Sequence, residues 1–252
     1  MLKIIAKLSA ILWILASLCM LASLAVARVI PTPVITVTAM TGAHSSLLMI
    51  DPQRQQIIPL YTANQISETI GQFVWSPDGH HFAFEKVEDS IEHYVFAGAM
   101  GQPIRQIYGG TVLTNTLAWS PDGQWLSLIT WPNADLQLIN TDGNIIAADT
   151  SQFFHGDAAW FTDGRLGYTL HDEETGLRAL YIFTPPNTSQ TITDMKRSYR
   201  QPGWSPNGRY VIYLGDTAGQ THPYLMDIEA QTITPLSLGA YHGLPIWSPD
   251  GR

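Results

Sequence analysis

Cysteine is almost missing from this chain. The single Cys19 stands in an apolar N-terminal run, so everything after it lacks intrachain disulfides, Cys-ligated zinc and a thiol nucleophile. Charge is scarce too: Asp, Glu, Lys and Arg supply 13% of the 252 residues, and the formal net charge is -8. That balance argues against nucleic acid as a partner, because binding it needs a basic face to neutralise phosphates. No Gly-x-Ser-x-Gly elbow occurs, and no pair of histidines brackets a glutamate, so neither a serine hydrolase nor a zinc peptidase site is present in these residues. No catalytic residue, metal site or cofactor is therefore expected. After residue 27 there is also no long stretch of helical period.

What is present begins with "MLKIIAKLSAILWILASLCMLASLAVARVIPTP". Lys3 and Lys7 precede twenty uncharged residues, Leu8 to Ala27, and Arg28 follows. Ala25 and Ala27 are small residues of the kind that precede a signal-peptide cut. Twenty helical residues also span a bilayer core of roughly 30 Å. Residues 1–27 thus read as a signal peptide or as an N-terminal membrane anchor, with a tether through residues 8–27 in the second case. A lipoprotein reading fails, because Leu18 stands before Cys19 where a small residue is needed. Either surviving reading keeps the lysines on the cytoplasmic side and predicts an extracytoplasmic location for the rest.

The body of the chain repeats one heptapeptide five times: "FVWSPDG" (73–79), "LAWSPDG" (117–123), "AAWFTDG" (158–164), "PGWSPNG" (202–208) and "PIWSPDG" (245–251). Trp75, Trp119, Trp160, Trp204 and Trp247 are separated by 41 to 44 residues. That period matches one four-stranded propeller blade. Within each unit a first strand ends in the Trp. A second follows, as in "HFAFE" or "YVIYL", then a third such as "ALYIF" and a fourth such as "TITPL". Ser at the first corner, Pro at the second and Gly at the fourth describe a type I turn, and the Gly can adopt a left-handed backbone to close the hairpin. Pro77 and Gly79, Pro121 and Gly123, Pro206 and Gly208, and Pro249 and Gly251 therefore make hairpins, while each Trp wedges between blades with its N–H seeking a partner. The third copy keeps only Gly164; it has lost Ser and Pro, and Leu166 and Tyr168 arrive one residue early, which predicts a locally irregular blade.

This repeat resembles the WD40-like propeller repeat of TolB-type periplasmic proteins, which also occurs in the propeller domains of prolyl oligopeptidase-like serine peptidases. The resemblance covers residues 44–252 and implies an all-β propeller, with residues 28–43 as a linker. "SLLMID" (46–51) and "QQIIPLY" (55–61) look like the last two strands of a blade, so the count is four full units and a split or incomplete fifth. The families it resembles usually carry six or seven blades, which points to a truncated sequence; a five-bladed ring is the alternative.

Position in the blade directs the search for a site. In a propeller the loop leading into each first strand opens onto the face around the central channel. There stand Asn115, His155, Asp157, Arg200 and His242, polar and different from blade to blade, as candidate contacts for a ligand or partner. "HDEETG" (171–176) gathers carboxylates but lacks the alternating oxygen ligands of a calcium loop, and reads as a solvated turn. The expected function is a non-enzymatic scaffold that binds a protein or peptide at the cell envelope. Two alternatives stand beside it: the propeller of a prolyl oligopeptidase-like peptidase whose hydrolase domain lies beyond Arg252, and the extracytoplasmic sensor of a membrane receptor.

Overall fold

The computed structural model describes residues 34–89, 92–113, 116–149, 154–186, 188–193, 199–217, 220–236 and 246–251. The apolar run at 1–27, and with it the choice between signal peptide and anchor, lies outside them. Among the described residues no helix is long and apolar enough to cross a membrane.

The described residues form nineteen strands in five antiparallel sheets. The first sheet holds β1 (Ile35–Thr41), β2 (His44–Asp51) and β3 (Gln56–Thr62). The second holds β4 (Glu68–Trp75), β5 (His81–Glu88), β6 (Glu92–Ala99) and β7 (Arg105–Gly109). In the third are β8 (Ala118–Trp119), β9 (Leu126–Ile129), β10 (Leu136–Ile139) and β11 (Ile145–Asp149). The fourth comprises β12 (Phe154–Trp160), β13 (Leu166–His171), β14 (Arg178–Thr184) and β15 (Thr188–Thr191). The fifth comprises β16 (Arg200–Trp204), β17 (Tyr210–Thr217), β18 (Gln220–Asp227) and β19 (Thr232–Pro235).

Each four-stranded sheet is a meander whose first strand carries the Trp, as the repeat predicts. The first sheet corrects the sequence reading. Residues 28–43 were expected to be a linker, yet Ile35–Thr41 pairs along its full length with His44–Ile50. Among the described residues the propeller therefore extends back from residue 44 to β1, and its first sheet has three strands.

Packing explains why the strands are so apolar. Each contact layer lies between successive sheets: Leu47 with Phe82 and Phe84, then Ala83 and Val95 with Leu126 and Leu128. Leu136 and Leu138 meet Leu166 and Tyr168, and Leu180 and Ile182 meet Val211 and Tyr213. A second strand is thus covered on both faces, and β9 and most of β5 and β13 are buried without alternation. The first strands β4, β8, β12 and β16 contact one another in series, as radial blades require.

The tryptophans complete these junctions. Each indole N–H donates to the preceding blade: Trp119 to Val74 O (3.3 Å), Trp160 to Ala118 O (3.1 Å), Trp204 to Asp157 O (3.1 Å) and Trp247 to Gly203 O (2.7 Å). Trp75 faces the three-stranded sheet and donates to the hydroxyl of Thr36 on β1 instead (2.7 Å).

The turns also close as expected. Gly79 N–H donates to Ser76 O (2.8 Å), and the Ser76 hydroxyl takes His81 N–H (2.9 Å). The same bonds recur at Ser120 and Ser205. Where Phe161 replaces Ser the hairpin is one residue shorter, closing from Phe161 N to Arg165 O. That is the irregular blade.

Candidate functional site

Strand direction defines two faces. The Ser-Pro-Asp-Gly turns occupy one, the turn face. The first strands begin at the other, the channel face, where the second strands also end. Polar and charged side chains differ between blades on the channel face, and backbone irregularity helps to place them.

In three sheets the pairing of the first strand with the second shifts register, between Ile70 and Phe73, between Gly156 and Ala159, and between Arg200 and Gly203. Such a bulge re-aims the extra residue. At Asp157 and Gln201 the backbone reaches φ +49° and +51°. In the second sheet the bulge turns Gln72 toward its neighbour, where its amide donates to Leu117 O (2.9 Å) and accepts from Leu117 N–H (2.8 Å). Gln72 thereby ties two first strands together.

Asp157 is the predicted residue with the fullest described environment. Its carboxylate accepts a bond from the Thr169 hydroxyl (3.2 Å) and stands 3.6 Å from the Arg178 guanidinium, while 39% of the side chain stays exposed. Its carbonyl holds the Trp204 indole, so the same residue anchors a blade junction and presents an acid. Arg200 opens β16 opposite Leu214 and is exposed. His155 sits on β12 opposite Leu170, but its side chain lies outside the described residues, as do Asn115 and His242 altogether. Asp157 and Arg200 thus stand on neighbouring first strands that touch.

A second charged group on this face was not anticipated. Glu85, near the end of β5, is 2% exposed, and its Oε1 lies 2.6 Å from His93 Nδ1 on β6. Against a carboxylate oxygen the ring nitrogen is the donor, and this contact fixes the ring's orientation. Gly71 makes room: a Cβ there would lie 2.4 Å from Glu85 Oε2. On the other side of the same strand Lys86 meets Glu68 (3.8 Å) and Glu88, with its ammonium over the Tyr94 and Phe96 rings. Glu68 is 2% exposed and accepts from Asn64 N–H (2.9 Å) and the Tyr61 hydroxyl (3.3 Å). Burial and the Glu68 charge push the Tyr61 phenol up to about 12. The signal for this group was in "HFAFEKVE", where Glu and Lys interrupt an otherwise apolar second strand.

Large apolar side chains also stand open on this face. Ile66, in the loop from β3 to β4, is 71% exposed, and Trp131, in the loop from β9 to β10, is 51% exposed. The Trp131 loop is held by its own backbone N–H, donated to Thr111 O (2.8 Å).

The HDEETG loop is a closed turn, as predicted. The Asp172 carboxylate takes Thr175 Oγ1–H (2.7 Å) and the N–H groups of Glu174 and Thr175. Those bonds, that of the Thr175 hydroxyl foremost, hold Asp172 below the ordinary carboxylate range.

No protein-family profile matches the chain. Among solved structures, TolB from Acinetobacter baumannii aligns over 88% of this chain and 58% of its own, with 14% identity and a TM-score of 0.53. The chain has the TolB-type β-propeller fold. Oligogalacturonate lyase from Vibrio parahaemolyticus aligns over 86% of this chain and 66% of its own, at 12% identity and a TM-score of 0.63. A prolyl endopeptidase structure aligns over 81% and 36%, at 11% identity and a TM-score of 0.57. By sequence, the chain is 31% identical over 150 residues to an uncharacterised protein of Agrobacterium fabrum. It is 26% identical over 140 residues to the Tol-Pal system protein TolB of Francisella tularensis. These matches span 47% and 32% of the two relatives' lengths.

Proposed function

We propose that the chain is a non-enzymatic scaffold that takes a protein or peptide partner on its channel face, outside the cytoplasmic membrane. The observation that carries this reading is the contrast between the faces. Ser, Asp or Asn, and Gly bonds repeat on the turn face. On the channel face the second sheet carries Glu85 with His93 and Lys86 with Glu68, whereas the fourth carries Asp157 with Arg178.

These groups are mounted on strands and hairpins whose backbones are already paired, so binding orders little that is not ordered beforehand. Ile66 and Trp131 add exposed apolar anchors of the kind that dominate protein interfaces. The similarity to a Tol-Pal system protein supports a partner that is itself a protein. Export is supported by Lys3 and Lys7 ahead of the apolar run.

The test is affinity capture with the wild-type chain and with Arg178→Glu. One dominant partner should be recovered by the first and reduced about tenfold with the second, as loss of an interfacial charge predicts. Equal recovery contradicts the proposal. The likeness to a prolyl endopeptidase favours a second reading, in which the propeller gates a peptidase. Reading the frame downstream of Arg252 decides it: a Gly-x-Ser-x-Gly elbow followed by Asp and His would favour the peptidase.

A further inference from the structure

At three of the four described junctions between successive turns, the turns touch. A Cβ on Gly123 would meet Ser76 at 3.8 Å, one on Gly251 would meet Asn207 at 3.4 Å, and one on Gly208 would meet the Phe161 ring at 2.4 Å. Gly164 differs, because a Cβ there would meet nothing within 4 Å. The cause is the shortened hairpin. Thr162 N–H donates to Pro206 O (2.8 Å) and Phe161 packs under the following turn, so the fourth sheet's turn leans on the fifth sheet and leaves the third.

A groove of about 330 Å³ opens between the third and fourth sheets on the turn face. Trp125 and Trp160 line it, Pro185 and Pro186 form a wall, and Asp122, Gln124 and Arg165 stand at its rim. Trp160 is oriented in advance, since Ala118 O and Ser127 Oγ both accept its indole N–H (3.1 and 3.0 Å). The Trp125 indole N–H has no partner among the described residues. Asp122 spends Oδ1 on its turn, through Ser120 Oγ–H and Gln124 N–H, and Oδ2 remains.

We propose that this groove binds a neutral sugar ring. A pyranose offers a flat C–H face to an indole, and its hydroxyls suit a carboxylate, an amide and a guanidinium, each of which can engage two of them. A peptide strand finds no edge here, because the flanking hairpins spend their backbone groups internally: Ser120 N–H goes to Trp125 O, Phe161 N–H to Arg165 O and Gly164 N–H to Phe161 O. An acidic sugar is disfavoured. Asp163 neutralises Arg165 (2.7 Å), which leaves Asp122 as the net charge of the groove.

The test is ligand-observed NMR and calorimetry of the 252-residue chain with maltose, cellobiose and N,N′-diacetylchitobiose, and with digalacturonate as the anionic comparison. At least one neutral disaccharide should bind, with a Kd on the order of 1 mM. Trp125→Ala and Asp122→Asn should each weaken it about tenfold, while Ile57→Ser on β3 should not. Asp122→Asn leaves the packing intact, so it decides the matter if Trp125→Ala fails to fold. The proposal is overturned if none of the three neutral sugars binds. It is equally overturned if digalacturonate binds more tightly, or if both groove variants bind like wild type. These outcomes concern the turn face and leave the channel-face reading to its own test.

Discussion

Glu85 and Gly71 share one space: the Cβ that Gly71 lacks would stand 2.4 Å from Glu85 Oε2. A bulge in β4 and a buried acid in β5 are therefore a single arrangement, and the His93 bond depends on both. Gly71→Ala should destabilise the fold by about 1–3 kcal/mol through overpacking. Glu85→Ala should cost a similar amount by stranding His93. In the double variant the two costs should not add, because removing the carboxylate relieves the clash. Urea unfolding of the four proteins measures this coupling.

Phe161 and Gly208 make a comparable pair across the junction between the fourth and fifth sheets. Gly208 has φ +65°, and its Cβ would meet Phe161 at 2.4 Å. Gly208→Ala should lower stability by about 2 kcal/mol or more, combining backbone strain with overpacking. Adding Phe161→Ala should relieve the contact but not the strain, and should open a cavity of its own. Thermal melting should place the double variant below wild type.

Acid should act through the turns. Asp172, Asp51, Asp227 and Asp78 are all held below their ordinary pKa of 3.8. Hydrogen bonds from their own turns do this; at Asp78 burial opposes the shift and the Ser76 hydroxyl and His80 N–H outweigh it. Depressed folded-state values mean stability that is fully present above the unfolded pKa and lost as pH falls through the folded one. Melting temperature should thus stay level from neutrality to about pH 5 and fall below about pH 4. A steady rise on acidification would contradict these bonds.

Alkali tests the Glu68 group. Burial and the Glu68 charge push the Tyr61 phenol up to about 12 in the fold from its ordinary 10.0. A raised folded value gives stability that is complete below pH 10 and lost as pH climbs toward 12. Absorbance titration should show equal numbers of tyrosines ionising in the normal range in wild type and Tyr61→Phe, with one fewer ionising at higher pH in the variant.

The blades were legible because a heptapeptide that makes a turn and a wedge leaves the same mark at each occurrence. Even the short turn of the fourth sheet showed, in the missing Ser and Pro before Gly164 and the early Leu166. β1 did not show. Ile35–Thr41 alternates with threonines, follows Pro31 and Pro33, and has no Trp turn ahead of it, so only its pairing with β2 identifies it as a strand. The site was half legible. Asp157 was placed by its distance from Trp160, but its partner Arg178 comes from β14, reached only through the register of two strand pairs. His93 likewise meets Glu85 because Val87 pairs with His93 across the β5–β6 hairpin, a relation that periodicity alone does not contain.

The central claim is that a partner protein docks on the channel face, and site-specific photocross-linking in the source cells tests it most directly. A benzophenone side chain at Ile66 or Trp131 should yield one and the same adduct, identified by mass spectrometry, while one at Met100 on the turn face should yield none. Adducts confined to Met100, or unrelated adducts from Ile66 and Trp131, would contradict the account.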